Sequence, residues 1–435
     1  GKTRLAVMAM FEWLYRYDDD AVVVFGVPSK GLLMQTADTM RSWRFTYGRI
    51  GGGYGELILG KDVYISTYAS INKVRDSNVI KGKKVLLILD ECHKVGAEQT
   101  SKVMETFQGD ACLMLSATPH RSDGADPMEI MNAPIRYTLS LMEGIKQSRG
   151  KDDALDFTFN VVYVQPNAQE TIELQQLNIA VSVAYHKAFK FAAADVMAVE
   201  SNLFHRRNAS NMVEWETRQA IDNYKAQCMK RKRLENEIEQ RFDVTKHILS
   251  NNLGKKYAGF HESIFGIERL NQMCRDIGYY PRVYHSGMSL SKDQAIAYPE
   301  LDNDTFRNRL KNYAKNSERE LKRWTESPSD ILLTCKSLKE GFDVPDMDGL
   351  IMMTGTNAVL SRIQTIGRVF RGRKHKEIWM LVVKGLGDKP SGDERCLNTI
   401  LEKTEIPQSH VKYHYNLLNL SQSTQQQDTG VEQNV

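Results

Sequence analysis

Along the first 165 residues, short apolar runs bounded by turn residues alternate with longer amphipathic stretches. The runs are AVVVFGVP (21–28), DVYISTY (62–68), KVLLILD (84–90) and ACLMLSAT (111–118). Continuous apolar runs of this kind predict strands buried on both faces of a parallel sheet. KGLLMQTADTMRSW (30–43) and EQTSKVMETF (98–107) have helical spacing. So does LAVMAMFEWLY (5–15), where Glu12 interrupts what would otherwise pass for a secretory segment. The alternation predicts an α/β domain over 1–165. Over 166–253 strand runs disappear, Pro and Gly all but vanish, and Leu, Ala, Met, Glu, Lys and Arg recur at helical spacing, which predicts a helical insert. Strand texture returns in KKYAGF, PRVYHSG, DILLTC, GLIMMTG and EIWMLVV, which predicts a second α/β domain over 254–400. The last stretch, 401–435, turns polar and predicts a partly disordered tail.

Composition narrows the picture only a little. Lys and Arg number 58 against 54 Asp and Glu, a formal net charge of +4, so a polyanion partner would have to be held by local clusters. The six cysteines are scattered with no C-x-x-C pair, which fits reduced thiols and neither a disulfide framework nor a zinc site. No apolar run is long enough for a helical membrane span, and the expected setting is cytoplasmic.

The chemistry begins at LLILDECHKV (86–95), where a buried strand runs straight into Asp90 and Glu91. Unpaired carboxylates are costly to bury, so these two should sit at the strand's end and hold something. The chain opens on Gly1-Lys2-Thr3, the last three positions of a phosphate-binding loop, followed by a helical pattern. A nucleoside triphosphate site needs a lysine on phosphate, a hydroxyl and a carboxylate on Mg²⁺, and a group that orients water. Lys2, Thr3, Asp90 and Glu91 supply that set. Cys92 and His93 have no partners at zinc spacing, which leaves them outside any metal reading.

Further stretches follow in a fixed order: VPSKGLLMQ (27–35), STYAS (66–70), SATPHR (116–121), KSLKEGFDVPDMD (336–348) and QTIGRVFRGR (364–373). Arg368 and Arg371, three residues apart, share one helix face. Together with GKT and DECH, the ordered set resembles the superfamily 2 helicases and translocases across about residues 1–385, and within them most resembles the DNA repair and recombination group that includes phage branch-migrating helicases.

The resemblance implies two RecA-like domains with the helical segment between them, and ATP with Mg²⁺ bound between those domains. It implies that Gly1, Lys2 and Thr3 meet phosphate and Mg²⁺, and that Asp90 holds the metal while Glu91 polarises water. Arg368 and Arg371 would act as arginine fingers, with Gln364, Gly341 and Asp343 lining the same cleft. Ser116, Ala117 and Thr118 would link hydrolysis to movement. The glycine-rich half of the phosphate loop and everything upstream are missing from the pattern, so the chain is expected to be truncated within that loop. KKYAGFHES (255–263) resembles the family's fourth motif only loosely.

A motor that steps without reading sequence should touch nucleic acid mainly at phosphates. Thr67, Tyr68, Lys339 and Thr356 are the expected contacts. The basic run Lys230-Arg231-Lys232-Arg233, and Arg307, Arg309, Lys311 and Lys315, would add electrostatic grip. The expected activity is ATP-dependent movement on, or unwinding of, branched DNA by a monomer in a bacterial or phage-infected cell. The alternatives are an RNA helicase, an ATP-gated nucleic-acid-binding switch and the motor subunit of a restriction complex.

Overall fold

The computed structural model describes residues 2–95, 100–101, 104–107, 109–116, 126–144, 156–192, 212–276, 278, 280–285, 317, 319–335, 346–354, 363, 366–367, 369–370, 374–385, 390–415 and 417–418. These divide into two compact units that meet in sequence near residue 139.

The first unit is built on β1 (Ala21–Val27), β2 (Tyr47–Gly51), β3 (Tyr54–Gly55), β4 (Val63–Thr67), β5 (Lys84–Asp90) and β6 (Ala111–Leu115). Their spatial order is β3-β2-β4-β1-β5-β6. Every pairing is parallel except the short β2–β3 hairpin. The apolar runs work as expected because alternate residues serve opposite faces. Val23, Phe25, Leu86 and Ile88 pack with α1 (Lys2–Tyr17) and α2 (Lys30–Ser42), whose buried residues include Ala6, Met10, Leu33 and Met40. Val22, Val24, Leu87 and Leu89 face the other way, onto Ile71 and Val74 of α3 (Ile71–Arg75). The Ser29 side chain caps α2 by accepting from the Leu32 N–H at 3.3 Å.

The second unit carries β7 (Phe157–Val164), β8 (Tyr257–His261), β9 (Arg282–Tyr284), β10 (Ile331–Cys335), β11 (Gly349–Met352), β12 (Lys376–Val383) and β13 (Val411–His414). All are parallel, in the order β13-β7-β12-β11-β8-β10-β9. Its described helices include α4 (Ala168–Ala192), α5 (Met212–Glu237), α6 (Glu239–Ser250), α7 (Ile264–Asp276) and α8 (Gly392–Thr404). The last has a capping box between Ser391 and Glu394.

Three expected boundaries move. Phe157–Val164 was expected in the first domain, yet it pairs with β12 over its full length. An apolar run declares that it is buried, not which sheet buries it. The helical insert is no separate body either: Phe242, Val244, Ile248 and Leu249 of α6 join Leu174 of α4 in the core beneath the second sheet. The tail begins too early in the sequence reading, because Val411–His414 forms the edge strand beside β7. Residues 419–435 lie outside the described residues.

Candidate nucleotide site

Parallel sheets gather chemistry at the carboxyl ends of their strands, and in the first unit the ends of β4, β5 and β6 and the start of α1 bring the predicted groups together. β5 is buried from Val85 to Leu89 and becomes half-exposed at Asp90. Glu91 then takes a left-handed conformation, φ 53° and ψ 51°, turning the chain sharply off the strand. A non-glycine residue in that region is uncommon, and such strain collects at functional sites. Its own amide donates to Asp90 Oδ1 at 3.1 Å, and the Tyr68 hydroxyl donates to the Asp90 carbonyl.

The Lys2 ammonium meets Glu91 Oε1 at 2.6 Å, so the first residue of α1 reaches the turn after β5. Glu91 Oε2 lies 3.5 Å from His93 Nδ1, and that nitrogen lies 3.1 Å from Ser116 Oγ, just past β6. Lys2, Glu91, His93 and Ser116 thus form one polar chain across a helix start and two strand ends. Burial raises the Asp90 carboxyl pKa, the Lys2 charge works against that rise, and the Glu91 charge adds to it. A carboxylate held in this condition gains from a cation beside it. Burial, reinforced by Glu91, pushes the Cys92 thiol up to about 11, so Cys92 is a packed apolar residue and no nucleophile.

Lys2, Asp90, Glu91 and Ser116 therefore converge, while Thr3 sits exposed at the start of α1. The donor set suits a Mg-nucleotide: Mg²⁺ is commonly held by one or two carboxylates together with substrate phosphates. Among the described residues no group of three or more His, Cys, Asp or Glu forms a self-sufficient metal cage. Gly1, Ala117, Thr118, Lys339, Gly341, Asp343, Thr356, Gln364, Arg368 and Arg371 lie outside the described residues, as do Arg307, Arg309, Lys311 and Lys315.

Two expectations are corrected by burial. The Thr67 and Tyr68 side chains are not poised for phosphate; they are 8% and 4% exposed. Tyr68 is an internal strut, its ring packed so close to Gly26 that a Cβ there would stand 2.9 Å from it. Burial raises its phenol pKa well above the ordinary value. Lys30 is exposed, its stem beside Gly52 of the glycine-rich hairpin between β2 and β3 and its ammonium 5.7 Å from the Tyr54 ring centroid, while the neighbouring Gly51 lies against Thr67. The basic run is also less free than its sequence suggests. Lys232 pairs with Glu262 at 2.8 Å and Arg231 reaches Asn178 at 3.3 Å, leaving Lys230 and Arg233 facing solvent. His93 joins the polar chain and was not expected in it from the sequence. Its adjacency to Glu91 was visible, but its bond to a serine 23 residues away was not.

Residues 1–121 match the family model of the type III restriction enzyme, res subunit. The chain is 24% identical over 372 residues to the DNA 3'-5' translocase XPB2 of Sulfurisphaera tokodaii, covering 82% of this chain and 72% of that protein. Among solved structures it is similar to S. cerevisiae Dbp5 bound to RNA and ADP BeF3, with a TM-score of 0.52, 12% identity, and coverage of 98% of this chain and 86% of that one. It is also similar to the ATP-dependent type ISP restriction-modification enzyme LlaBIII bound to DNA, with a TM-score of 0.53 and 13% identity. That match covers 95% of this chain and 29% of the larger enzyme. The structural likenesses speak to fold alone. Among the described residues no helix is long and apolar enough to cross a membrane.

Proposed function

We propose that this chain, which is of the superfamily 2 helicase type, is the motor of an ATP-dependent DNA translocase or helicase. The observation that carries this reading is the Lys2–Glu91 pair at 2.6 Å beside Asp90 at the end of β5. A cation at the start of α1 and two carboxylates at the end of β5 lie together there, and this supports roles in holding phosphate, holding a metal and orienting water. Bound Mg-ATP would supply an electrophilic phosphoryl group with its charge partly neutralised. Lys2 would leave Glu91 for the phosphates, Asp90 would hold the metal with Thr3, and the released Glu91 would orient the attacking water. His93 would carry the change to Ser116, at the start of the stretch that in the resembled family links hydrolysis to movement. Arg368 and Arg371 would serve as fingers, with Gln364, Gly341 and Asp343 lining the nucleotide. Lys30 and the glycine hairpin, rather than Tyr68, would meet the DNA backbone in the first unit, and Lys339 and Thr356 in the second.

DNA is favoured over RNA by the named activity of the 24%-identical relative. The finer expectation is a branch-migrating repair or recombination motor, which rests on SATPHRSDG and QTIGRVFRG, in a monomeric, cytoplasmic protein. A second reading, the motor subunit of a restriction complex, is favoured by the family match over 1–121. ATP hydrolysis by the full-length protein on forked DNA, single-stranded DNA, plain duplex and structured RNA tests the reading. Forked DNA should stimulate most. Stronger stimulation by RNA contradicts the DNA assignment, and stimulation by plain duplex alone favours the restriction motor.

A further inference from the structure

The helices α5 and α6 send polar side chains to the carboxyl ends of three consecutive strands of the second sheet, β12, β11 and β8, and Glu262 extends the contact to a fourth, β10. From α5, Lys232 Nζ donates to Glu262 Oε1 at 2.8 Å and Asn236 Nδ2 donates to Glu262 Oε2 at 3.3 Å. Glu262 directly follows β8. Its amide donates to Thr354 Oγ1, just beyond β11, at 3.0 Å, and its carbonyl accepts from the thiol of Cys335, the last residue of β10, at 3.1 Å. From α6, the fully buried Arg241 donates to the Leu381 carbonyl of β12 at 3.2 Å and to the Met353 carbonyl, and pairs with Asp393. Asp393 in turn accepts from the Val383 amide at 3.1 Å.

These are the ends from which the second unit's proposed nucleotide and DNA groups depart in sequence. Cys335 runs into 336–345, with Lys339, Gly341 and Asp343, and Thr354 runs into 355–373, with Thr356, Gln364, Arg368 and Arg371. The basic run is split between two duties. Lys230 and Arg233 face solvent, while Lys232 points inward to Glu262. An anionic backbone resting on the outward pair would load the same helix that grips Glu262.

We propose that α5 is an input arm of the motor, with Lys232, Asn236 and Glu262 as positioning residues that tie ATP turnover to nucleic-acid phosphate held on Lys230 and Arg233. This rests on the function proposed above. Arg241 and Asp393 form the fixed anchor of the arm: Arg241 also donates to the Glu235 carbonyl of α5 at 2.8 Å, and losing either partner would strand a buried charge. Lys232 and Glu262 are the adjustable joint. Their side chains are 28% and 13% exposed, against 0% and 9% for Arg241 and Asp393, so of the two pairs only this one is reached by solvent to any extent.

The test uses the full-length protein and its Lys232→Met, Glu262→Gln and Lys232→Glu/Glu262→Lys variants. Turnover and half-saturating forked DNA are measured for each, with a thermal melt as the check on folding. Lys232→Met should lower turnover at saturating forked DNA about fivefold while the half-saturating concentration stays put. The charge swap should recover most of that loss, and Glu262→Gln, which keeps one acceptor oxygen for Lys232 but turns an NH2 toward Asn236, should fall between. Unchanged turnover in Lys232→Met, or a raised half-saturating concentration with turnover intact, overturns the proposal, as does a swap no better than the single variant. Should Lys232→Met melt early, Glu262→Gln carries the same comparison. A wild-type protein that no nucleic acid stimulates removes the motor reading and this proposal together. A stimulated wild type with an indistinguishable Lys232→Met removes this proposal alone.

Discussion

Asp90 and Glu91 are neighbours in sequence with different surroundings. Asp90 finishes a strand, most of its carboxyl buried, with its carbonyl held by Tyr68. Glu91 stands on a left-handed turn and already has a cation at 2.6 Å. The proposed division of labour follows from that placement. Asp90→Asn keeps the shape but removes the charge that would compensate a metal, so Mg²⁺-dependent nucleotide binding should weaken at least about tenfold. Titrating a fluorescent ATP analogue with and without Mg²⁺ measures it. An Asp90→Asn protein that binds like the wild type would contradict the metal assignment. Asp90 and Glu91 stood out because carboxylates directly behind LLIL have no packing reason to be there, and Lys2 stood out through the opening GKT. Tyr68 and Thr67 were misread, since a hydroxyl in sequence does not disclose whether it faces solvent or a glycine across the sheet. His93 was undervalued because its partner Ser116 is supplied by a different strand.

Among the elements, β8 shows how a strand end can carry more than one duty. His261, its last residue, is fully buried between the Asn236 carbonyl and Ser263, and burial pushes its pKa down to about 4. It leaves so little room that a Cβ on Gly266 would fall 2.2 Å from its ring. In the unfolded chain a histidine titrates near about 6.5, so the unfolded state binds the extra proton in the interval below that. The stability His261 confers is complete above about pH 6.5 and is lost as pH falls toward about 4, on the order of 3 kcal/mol in all. Glu235, Glu237 and Asp243, whose pKa values burial raises, act in the opposite sense and are common to wild type and variant. Urea midpoints at neutral and mildly acidic pH should therefore fall less for His261→Gln than for the wild type. Parallel losses in the two proteins would contradict a neutral buried His261. At this scale most strands were legible, with β5 matching KVLLILD residue for residue. β13 was not, because the four-residue VKYH in a polar neighbourhood becomes a strand only when β7 is there to pair with it.

For the molecule as a whole, two parallel α/β units were visible in the alternation of runs, yet the assignment of β7 and α6 to the second unit depends on long-range pairing. The central claim is that the site of Lys2, Asp90 and Glu91 drives nucleic-acid-dependent hydrolysis. Glu91→Gln tests it most directly, since it keeps shape and hydrogen bonding and removes only the charge that orients water. Measured at saturating ATP and forked DNA in the full-length protein, turnover should fall by about 10² or more, while ATP affinity and DNA affinity stay near wild type. Turnover close to wild type would place the chemistry elsewhere and contradict the account.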